Sequence, residues 1–332
     1  MRDDEEIGGY FGLWLPEGDT IYEQAISFNS ARSAIRAVLQ SCAKNVIYVP
    51  FYVCDSVIKA ASDAGYVVIL YRINSNFMPL DVPTKLDAQT LLLYVNYFGL
   101  CDRQVSKVLK LYHADQVIID NSHALYSEPS EALATIYSPR KFVGLPDGGL
   151  ACLAQGLQLD KSYPQDTASL SRMNYLLIRY GYDARAGYES FNLARESLSD
   201  NTPKAMSALT KKLMRSIPWQ QVRQSRQTNY LAMQSYFADI NLLKFDAVAG
   251  TAPLCFPLRV ANRNLTKVRQ WLADNSIFSP TYWPDVVSRA VSGSVELQLV
   301  EQTLYLPLDQ RMTSEHVARV CRKVTLALVS CD

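Results

Sequence analysis

Short apolar runs alternate with amphipathic segments along the first half of the chain. The runs are rich in β-branched and aromatic residues, which favour strands, and they lie at 46–50, 67–73, 91–98, 116–120, 135–138 and 148–154. Between them, apolar residues at three- and four-residue spacing predict helices over 54–64 and 103–113. This alternation predicts an α/β fold in which helices flank a mostly parallel sheet.

The pattern becomes helical at about residue 168. The segments RMNYLLIRYGY and PKAMSALTKKLM have helical spacing, and Pro203 lies where the second helix would begin. Short strands return beyond residue 240, and the predicted elements there are strands at 253–260 and 304–308 and helices at 265–274 and 314–329. A chain of 332 residues is long enough for two cores. We therefore expect a large domain over 1–237, with a helical dimer region at 168–237, and a small C-terminal α/β domain over 238–332.

Composition and charge exclude several classes of protein. The 33 basic and 32 acidic side chains nearly cancel, which gives no general attraction to nucleic acid or a membrane surface. No apolar run reaches the roughly 18 residues of a membrane helix, and the acidic start MRDDEEIGG is unlike a signal peptide. The seven cysteines form no C-x-x-C pair. We expect reduced thiols in a cytoplasmic protein.

The segment FNSARSAIRAVL at 28–39 predicts the start of a helix. Ser30, Ala31 and Arg32 lie at its N-terminus, where free backbone amides and the helix dipole favour a phosphate. An ordinary serine cap would produce the same pattern.

Polar residues follow two of the predicted strands. Asp120 ends VIID and His123 comes three residues later, at the edge of the sheet where α/β proteins bind ligands. Lys141 follows the strand at 135–138 and lies beside Arg140, whose charge would lower the pKa of the lysine amine. Taken singly, each of these residues could also be a cap, a structural histidine or a surface lysine.

Together these segments resemble the DegT/DnrJ/EryC1/StrS family of sugar aminotransferases, and the resemblance covers nearly the whole chain. These enzymes depend on pyridoxal 5′-phosphate (PLP) and have the fold-type I architecture, with a large and a small domain. NSARSAI at 29–35 matches the family segment that binds the cofactor phosphate, and DNSH at 120–123 matches its D-x-A-Q/H motif. SPRK at 138–141 with LPDGG at 145–149 matches its lysine segment, and PFYVC at 50–54 matches the segment that stacks on the ring.

The resemblance implies a role for each matched residue. Lys141 would hold PLP as a Schiff base, Asp120 would pair with the pyridine nitrogen, and His123 would lie near the phenolic oxygen. The remaining implied cofactor contacts are Ser30, Ala31, Arg32, Cys54 and Ser138.

Three features depart from the family pattern. Lys141 follows Ser138 by three residues, whereas the family lysine follows its serine by five. Cys54 stands where the family commonly has an aromatic residue, and Tyr52 is the nearby alternative. Asn201 is the nearest match to the asparagine that reaches the partner subunit's phosphate.

Four further residues are candidates for substrate contacts. Arg185 and Tyr188 lie in GYDARAGYESF, and Tyr282 lies between two prolines in PTYWP. Arg311 follows LPLDQ, where its guanidinium could bind a carboxylate or phosphate, or pair with Asp309 instead.

The resemblance implies a homodimeric aminotransferase that acts on a nucleotide-linked keto sugar, in surface polysaccharide or amino-sugar biosynthesis, with glutamate or a similar amino donor. Two alternatives stay open: a different PLP reaction such as sugar dehydration, for which family members replace the lysine by histidine, and a regulatory protein without catalysis. No G-x-G-x-x-G follows the first strand, which argues against a nicotinamide enzyme. The three histidines lack zinc-ligand spacing, so we expect no metal.

Overall fold

The computed structural model describes residues 7–159, 162–245, 250–260 and 265–331. The strands of the described part are β1 (Ile26–Phe28), β2 (Val46–Pro50), β3 (Val67–Tyr71), β4 (Thr90–Val95), β5 (Val117–Asn121), β6 (Ala134–Tyr137), β7 (Gly149–Leu153), β8 (Phe256–Arg259) and β9 (Thr303–Leu306). Its α-helices are α1 (Ala31–Gln40), α2 (Asp55–Asp63), α3 (Asp102–Leu111), α4 (Ser169–Arg172), α5 (Asn174–Gly181), α6 (Tyr188–Glu196), α7 (Ala208–Arg215), α8 (Trp219–Tyr236), α9 (Thr266–Asp274), α10 (Val295–Glu301) and α11 (Ser314–Ser330).

Seven strands form the main sheet, in the order β1-β7-β6-β5-β4-β2-β3. Strands β3, β2, β4, β5 and β6 are parallel, whereas β7 is antiparallel to both of its neighbours. Every residue of β4, β5 and β6 is buried, because the sheet is covered on both faces. The α/β class with a mostly parallel sheet is therefore confirmed.

Two predicted boundaries differ from the structure. The apolar run at 91–98 ends as a strand at Val95, because Phe98 has a left-handed backbone (φ 61°) within a tight turn over Tyr97–Gly99. Helix α7 begins at Ala208, not at Pro203, because the Ser207 side chain accepts the Thr210 N–H and caps the helix there.

The C-terminal part contains a two-stranded antiparallel sheet of β8 and β9. Helix α11 packs on α8 and α9. One apolar cluster extends from Phe28 through the main sheet to Leu328, so the two parts share a continuous core. Among the described residues, no helix combines the length and apolar character needed to cross a membrane.

Candidate active site

The N-terminus of α1 meets the start of β7 at very close range. Ser30 caps the helix by accepting the Ser33 N–H at 3.2 Å, and the Gly148 N–H donates to the Asn29 carbonyl at 2.7 Å. A Cβ on Gly149 would lie 2.2 Å from the Ser30 carbonyl carbon, so no side chain fits there. The glycine pair therefore holds the amide end of α1 against the sheet.

Three cations gather beside this junction. Lys141 and Arg140 lie in the turn after β6 and are close enough to Arg32, on the first turn of α1, for their charges to interact. Burial lowers the pKa of both guanidinium groups. Among the described residues, no carboxylate lies within 4 Å of either Arg32 or Arg140. An anion would relieve the cost of these poorly solvated charges.

Lys141 lies in a cleft of about 610 Å³ that Tyr282 and Arg311 also line. Its side chain reaches solvent, yet the protein packed around it lowers its pKa, and the charges of Arg140 and Arg32 act in the same direction. Asp120 and Cys54 oppose that shift. The amine of Lys141 therefore loses its proton more readily than an ordinary lysine.

Asp120 and His123 lie at the carboxyl end of β5, next to the Lys141 turn. Asp120 is buried and accepts the Ser122 N–H at 2.9 Å. The charge of Lys141 interacts with Asp120 and also with His123. The three residues that the sequence analysis identified therefore lie together.

His123 is buried inside an aromatic cluster. Its ring stacks on Trp283 at 5.1 Å with an interplanar angle of 12°, and the Tyr282 ring lies 4.9 Å away. Burial and the Lys141 charge hold the pKa of His123 well below its usual range, so the ring is neutral. Its Nδ1 has no hydrogen-bond partner among the described residues. This leaves a buried polar atom available to a ligand.

Cys54, and not Tyr52, lies beside the lysine. Cys54 is half-buried at the start of α2, within electrostatic range of Lys141 and Arg32. Tyr52 is fully buried, hydrogen-bonds to the Tyr305 hydroxyl and packs edge-on against Trp283 at 4.6 Å. Tyr52 is therefore part of the core.

Arg185 and Tyr188 do not line the Lys141 cleft. They line an adjoining cavity of about 640 Å³, which shares Arg179, Tyr175 and Phe191 with that cleft. Both candidates are exposed.

Arg311 lines the Lys141 cleft but is already paired. Its guanidinium donates two hydrogen bonds to the Asp309 carboxylate, at 2.7 and 2.8 Å. Asn201 is likewise engaged within its own chain, because it donates to Asp63 and accepts from Arg36. The assignment of Asn201 to a partner's phosphate is therefore not supported.

Ser138 ends at the carboxyl side of β6, and its carbonyl accepts the Lys141 N–H at 3.1 Å. Ser138 and Lys141 thus lie at the two ends of one tight turn after β6. Ala31 lies half-buried in the first turn of α1.

A buried charge network behind α1 escaped the sequence reasoning. Arg172 donates to both oxygens of Asp166, at 2.8 and 3.1 Å, and lies 3.9 Å from Asp147. Asn29 donates to Asp166 at 2.8 Å. The LPDGG motif contained Asp147, but nothing in the sequence connected it to Arg172. Among the described residues, no group of three or more His, Cys, Asp or Glu side chains could hold a metal ion.

Known structures share this architecture. PseC from Helicobacter pylori, an aminotransferase involved in the biosynthesis of pseudoaminic acid, is 17% identical with a TM-score of 0.60, over 92% of this chain and 87% of that one. DesV from S. venezuelae is 17% identical with a TM-score of 0.60, over 94% and 85% of the two chains. NtdA from Bacillus subtilis, solved with bound cofactor PMP, is 17% identical with a TM-score of 0.63, over 92% and 73%.

Comparisons with protein-family models and with curated proteins give no match. At identities this low, structural similarity identifies the fold alone. The chain therefore has the fold-type I architecture that these aminotransferases share, as its seven-stranded sheet and antiparallel β7 indicate.

Proposed function

We propose that this protein is a PLP-dependent aminotransferase that acts on a sugar. The observation that carries the proposal is the meeting of Lys141, Asp120 and His123 at the carboxyl ends of β5 and β6, beside the cationic N-terminus of α1. Ligands of open α/β sheets bind at this edge. The fold is one on which such enzymes are built, which supports the proposal by analogy.

The residues present fit the cofactor at two independent points. Arg32 and Arg140 lack carboxylate partners among the described residues, and they flank backbone amides that suit a phosphate dianion. The unpartnered Nδ1 of buried His123 suits the phenolic oxygen of the ring. The close approach of Gly149 to Ser30 leaves no room for a side chain at position 149.

When bound, PLP would supply an electron sink for a substrate carbanion. Asp120 would hold a proton at the pyridine nitrogen, since a buried carboxylate favours a cation beside it. The Lys141 amine, with its lowered pKa, would move a proton between two carbons, from the substrate carbon that loses it to one that belongs to the cofactor, an effect worth about 10²–10⁴-fold. Because the lysine is present, the dehydratase alternative is less well supported.

A nucleotide-linked keto sugar is the substrate class that we propose. The cavity next to the Lys141 cleft offers the rings of Tyr175, Tyr188 and Phe191 to a flat base. Arg179 and Arg185 line the same cavity and could bind phosphate groups. Arg311 could meet the carboxylate of an amino donor such as glutamate if its pairing with Asp309 opened.

We also propose a homodimer. Tyr180 and Tyr182, on and after α5, are 94% and 80% exposed, and in the N-terminal segment Phe11 and Trp14 are almost wholly exposed. Apolar surface of this extent is typical of an interface. A cytoplasmic location completes the proposal, because all seven cysteines are free. Sedimentation of the protein and of a Tyr182→Glu variant tests the dimer, and a monomeric wild type would contradict it.

The cofactor assignment is tested by the ultraviolet–visible spectrum of purified protein supplied with PLP, before and after borohydride reduction. We expect reduction to fix the cofactor covalently on Lys141, as peptide mapping would detect. Lys141→Ala should lose this modification, whereas Lys107→Ala, which changes an exposed lysine on α3, should retain it. Modification at another lysine would overturn the assignment.

Transamination is tested separately, by the absorbance change when glutamate and other common amino acids are added to the loaded protein. We expect at least one donor to convert the cofactor to its amine form. If no donor does so, transamination is excluded while cofactor binding stands, and the regulatory alternative gains support.

A further inference from the structure

Arg226, in the middle of α8, is buried, and only 2% of its surface is exposed to solvent. Its Nη2 donates to the Phe142 carbonyl at 3.1 Å, and its Nη1 donates to the carbonyls of Pro253 and Leu254, each at 3.1 Å. The guanidinium also lies 4.7 Å from the centre of the Phe142 ring. One side chain thus holds two separate stretches of backbone.

This arrangement is a costly way to fill a core. Among the described residues, no carboxylate lies within 4 Å of Arg226, and burial lowers the pKa of its guanidinium. An apolar side chain of similar volume commonly stabilises a core as well as a buried charge does. We therefore infer that Arg226 has a role other than stabilising the core.

The Phe142 carbonyl is the point where two parts of the chain converge. It accepts a second hydrogen bond, from Gln310 Nε2 at 3.0 Å. Phe142 directly follows Lys141, and its N–H closes the tight turn by donating to the Pro139 carbonyl at 2.9 Å. The two donors therefore fix the Phe142–Val143 peptide, which closes the turn that carries the lysine, since the Val143 N–H also donates to the Pro139 carbonyl at 3.2 Å.

Both other contacts of Arg226 lie in the C-terminal part of the chain. Pro253 and Leu254 precede β8, and the Leu254 N–H donates to the Phe98 carbonyl at 2.9 Å. One turn along α8 from Arg226, Asn229 Nδ2 donates to the Leu308 carbonyl at 3.0 Å. The same face of α8 thus fastens the lysine turn and the C-terminal segment.

We propose that Arg226 is a positioning residue: together with Gln310 it fixes the Phe142 carbonyl, orients Lys141 and joins the lysine turn to the C-terminal part of the cleft. This proposal rests on the assignment of Lys141 as the reacting lysine. Arg226 also borders the cleft, and its three hydrogen bonds to backbone carbonyls hold the guanidinium in place there.

The experiment measures how fast acetic anhydride labels Lys141 in the cofactor-free protein as a function of pH, by peptide mass spectrometry. Arg226→Met keeps an apolar stem and removes the donors, Arg226→Lys keeps the charge, and Gln310→Met removes the second donor. Thr228→Ala is the matched control, since it changes an exposed residue of the same helix, two positions from Arg226.

With Arg226→Met we expect the midpoint of the labelling profile to rise by about half a pKa unit to one unit, because a looser turn weakens the packing and the cation contacts that lower the pKa of the amine. Below the midpoint this corresponds to about three- to tenfold less unprotonated amine. Arg226→Lys should restore part of the shift, Gln310→Met should give a smaller shift in the same direction, and Thr228→Ala should give none.

The proposal is overturned if folded Arg226→Met keeps the wild-type midpoint, or if Thr228→Ala shifts it equally. Should Arg226→Met fail to fold, Gln310→Met decides, and an unchanged midpoint then refutes the proposal. Labelling needs no cofactor. A protein that binds no PLP would therefore refute the proposed function and leave the role of Arg226 in holding the turn measurable.

Discussion

His123 combines full burial with a free ring nitrogen. Trp283 stacks on one face of its ring, and Trp283 itself has a left-handed backbone (φ 51°) between Tyr282 and Pro284. A bulky residue rarely adopts this conformation, and such strain is frequent at functional sites. The aromatic corner therefore excludes water from the histidine and holds its ring in place.

The pH dependence of stability reports on this burial. Because the pKa of folded His123 is depressed, the unfolded chain gains a proton that the folded chain does not as the pH falls below about 6.5. Folding stability is therefore lost toward acid, by at most about 1.4 kcal/mol per pH unit from this residue. We expect His123→Gln to flatten this slope in urea unfolding of the cofactor-free protein between about pH 7 and 5.

His113→Gln is the control, because His113 is exposed and its replacement should leave the slope unchanged. If the stability of His123→Gln falls toward acid as steeply as that of the wild type, groups other than His123 cause this loss of stability.

At the scale of elements, the junction of α1 and β7 fixes the N-terminus of α1, where we propose that the phosphate binds. The start of β7 lies within contact distance of the Ser30 backbone. Behind it, the ion pair of Arg172 with Asp166 is held to the helix start through Asn29. The N-terminus of α1 is thus held by backbone contact with β7 and, through Asn29, by the buried ion pair of Arg172 with Asp166.

Gly149→Ala tests this junction. The added methyl would lie 2.2 Å from the Ser30 carbonyl carbon, so the strand and helix must separate. We expect a loss of about 3 kcal/mol in the free energy of unfolding, measured by urea denaturation, together with weaker PLP binding. Gly181→Ala, where nothing lies within 4 Å of the new methyl, should cost far less; equal effects would contradict this explanation.

At the scale of the molecule, side chains from the C-terminal part reach across to the main sheet. Arg289 donates to the carbonyls of Phe51 and Val53 and pairs with Asp55. These residues flank Cys54, beside Lys141. The C-terminal part therefore holds the segment on both sides of Cys54. The two parts also share one apolar core.

Arg289→Met should lower the free energy of unfolding by about 2 kcal/mol, because hydrogen bonds from a charged donor are worth about 1.5–3 kcal/mol. Arg311→Met, which removes an exposed side chain from its pair with Asp309, should cost less than about 1 kcal/mol. Urea unfolding measures both. If the two variants lose equal stability, Arg289 does not hold the 51–55 segment as described.

Local pattern alone determined the α/β class and most strand and helix positions, and it placed Lys141, Asp120 and His123 at strand ends, whereas the family resemblance made them the leading candidates. It could do so because periodicity and strand-end position are local properties of a chain. The helix start at Ala208 was missed because pairing of Ala205 with distant segments competes with the Pro203 signal. The anion site at α1 stays a prediction. The structure adds that Arg32 and Arg140 lie beside it.

Only the tertiary structure decided which residues surround these candidates. The contacts of Arg226 with Phe142, of Trp283 with His123, and of Arg172 with Asp147 each join residues far apart in sequence. No spacing rule connects them, since such contacts depend on how the elements pack. The sequence alone determined where the reactive groups lie along the chain. Packing decided their charge state, their orientation and their partners, because all three depend on burial and on distant neighbours.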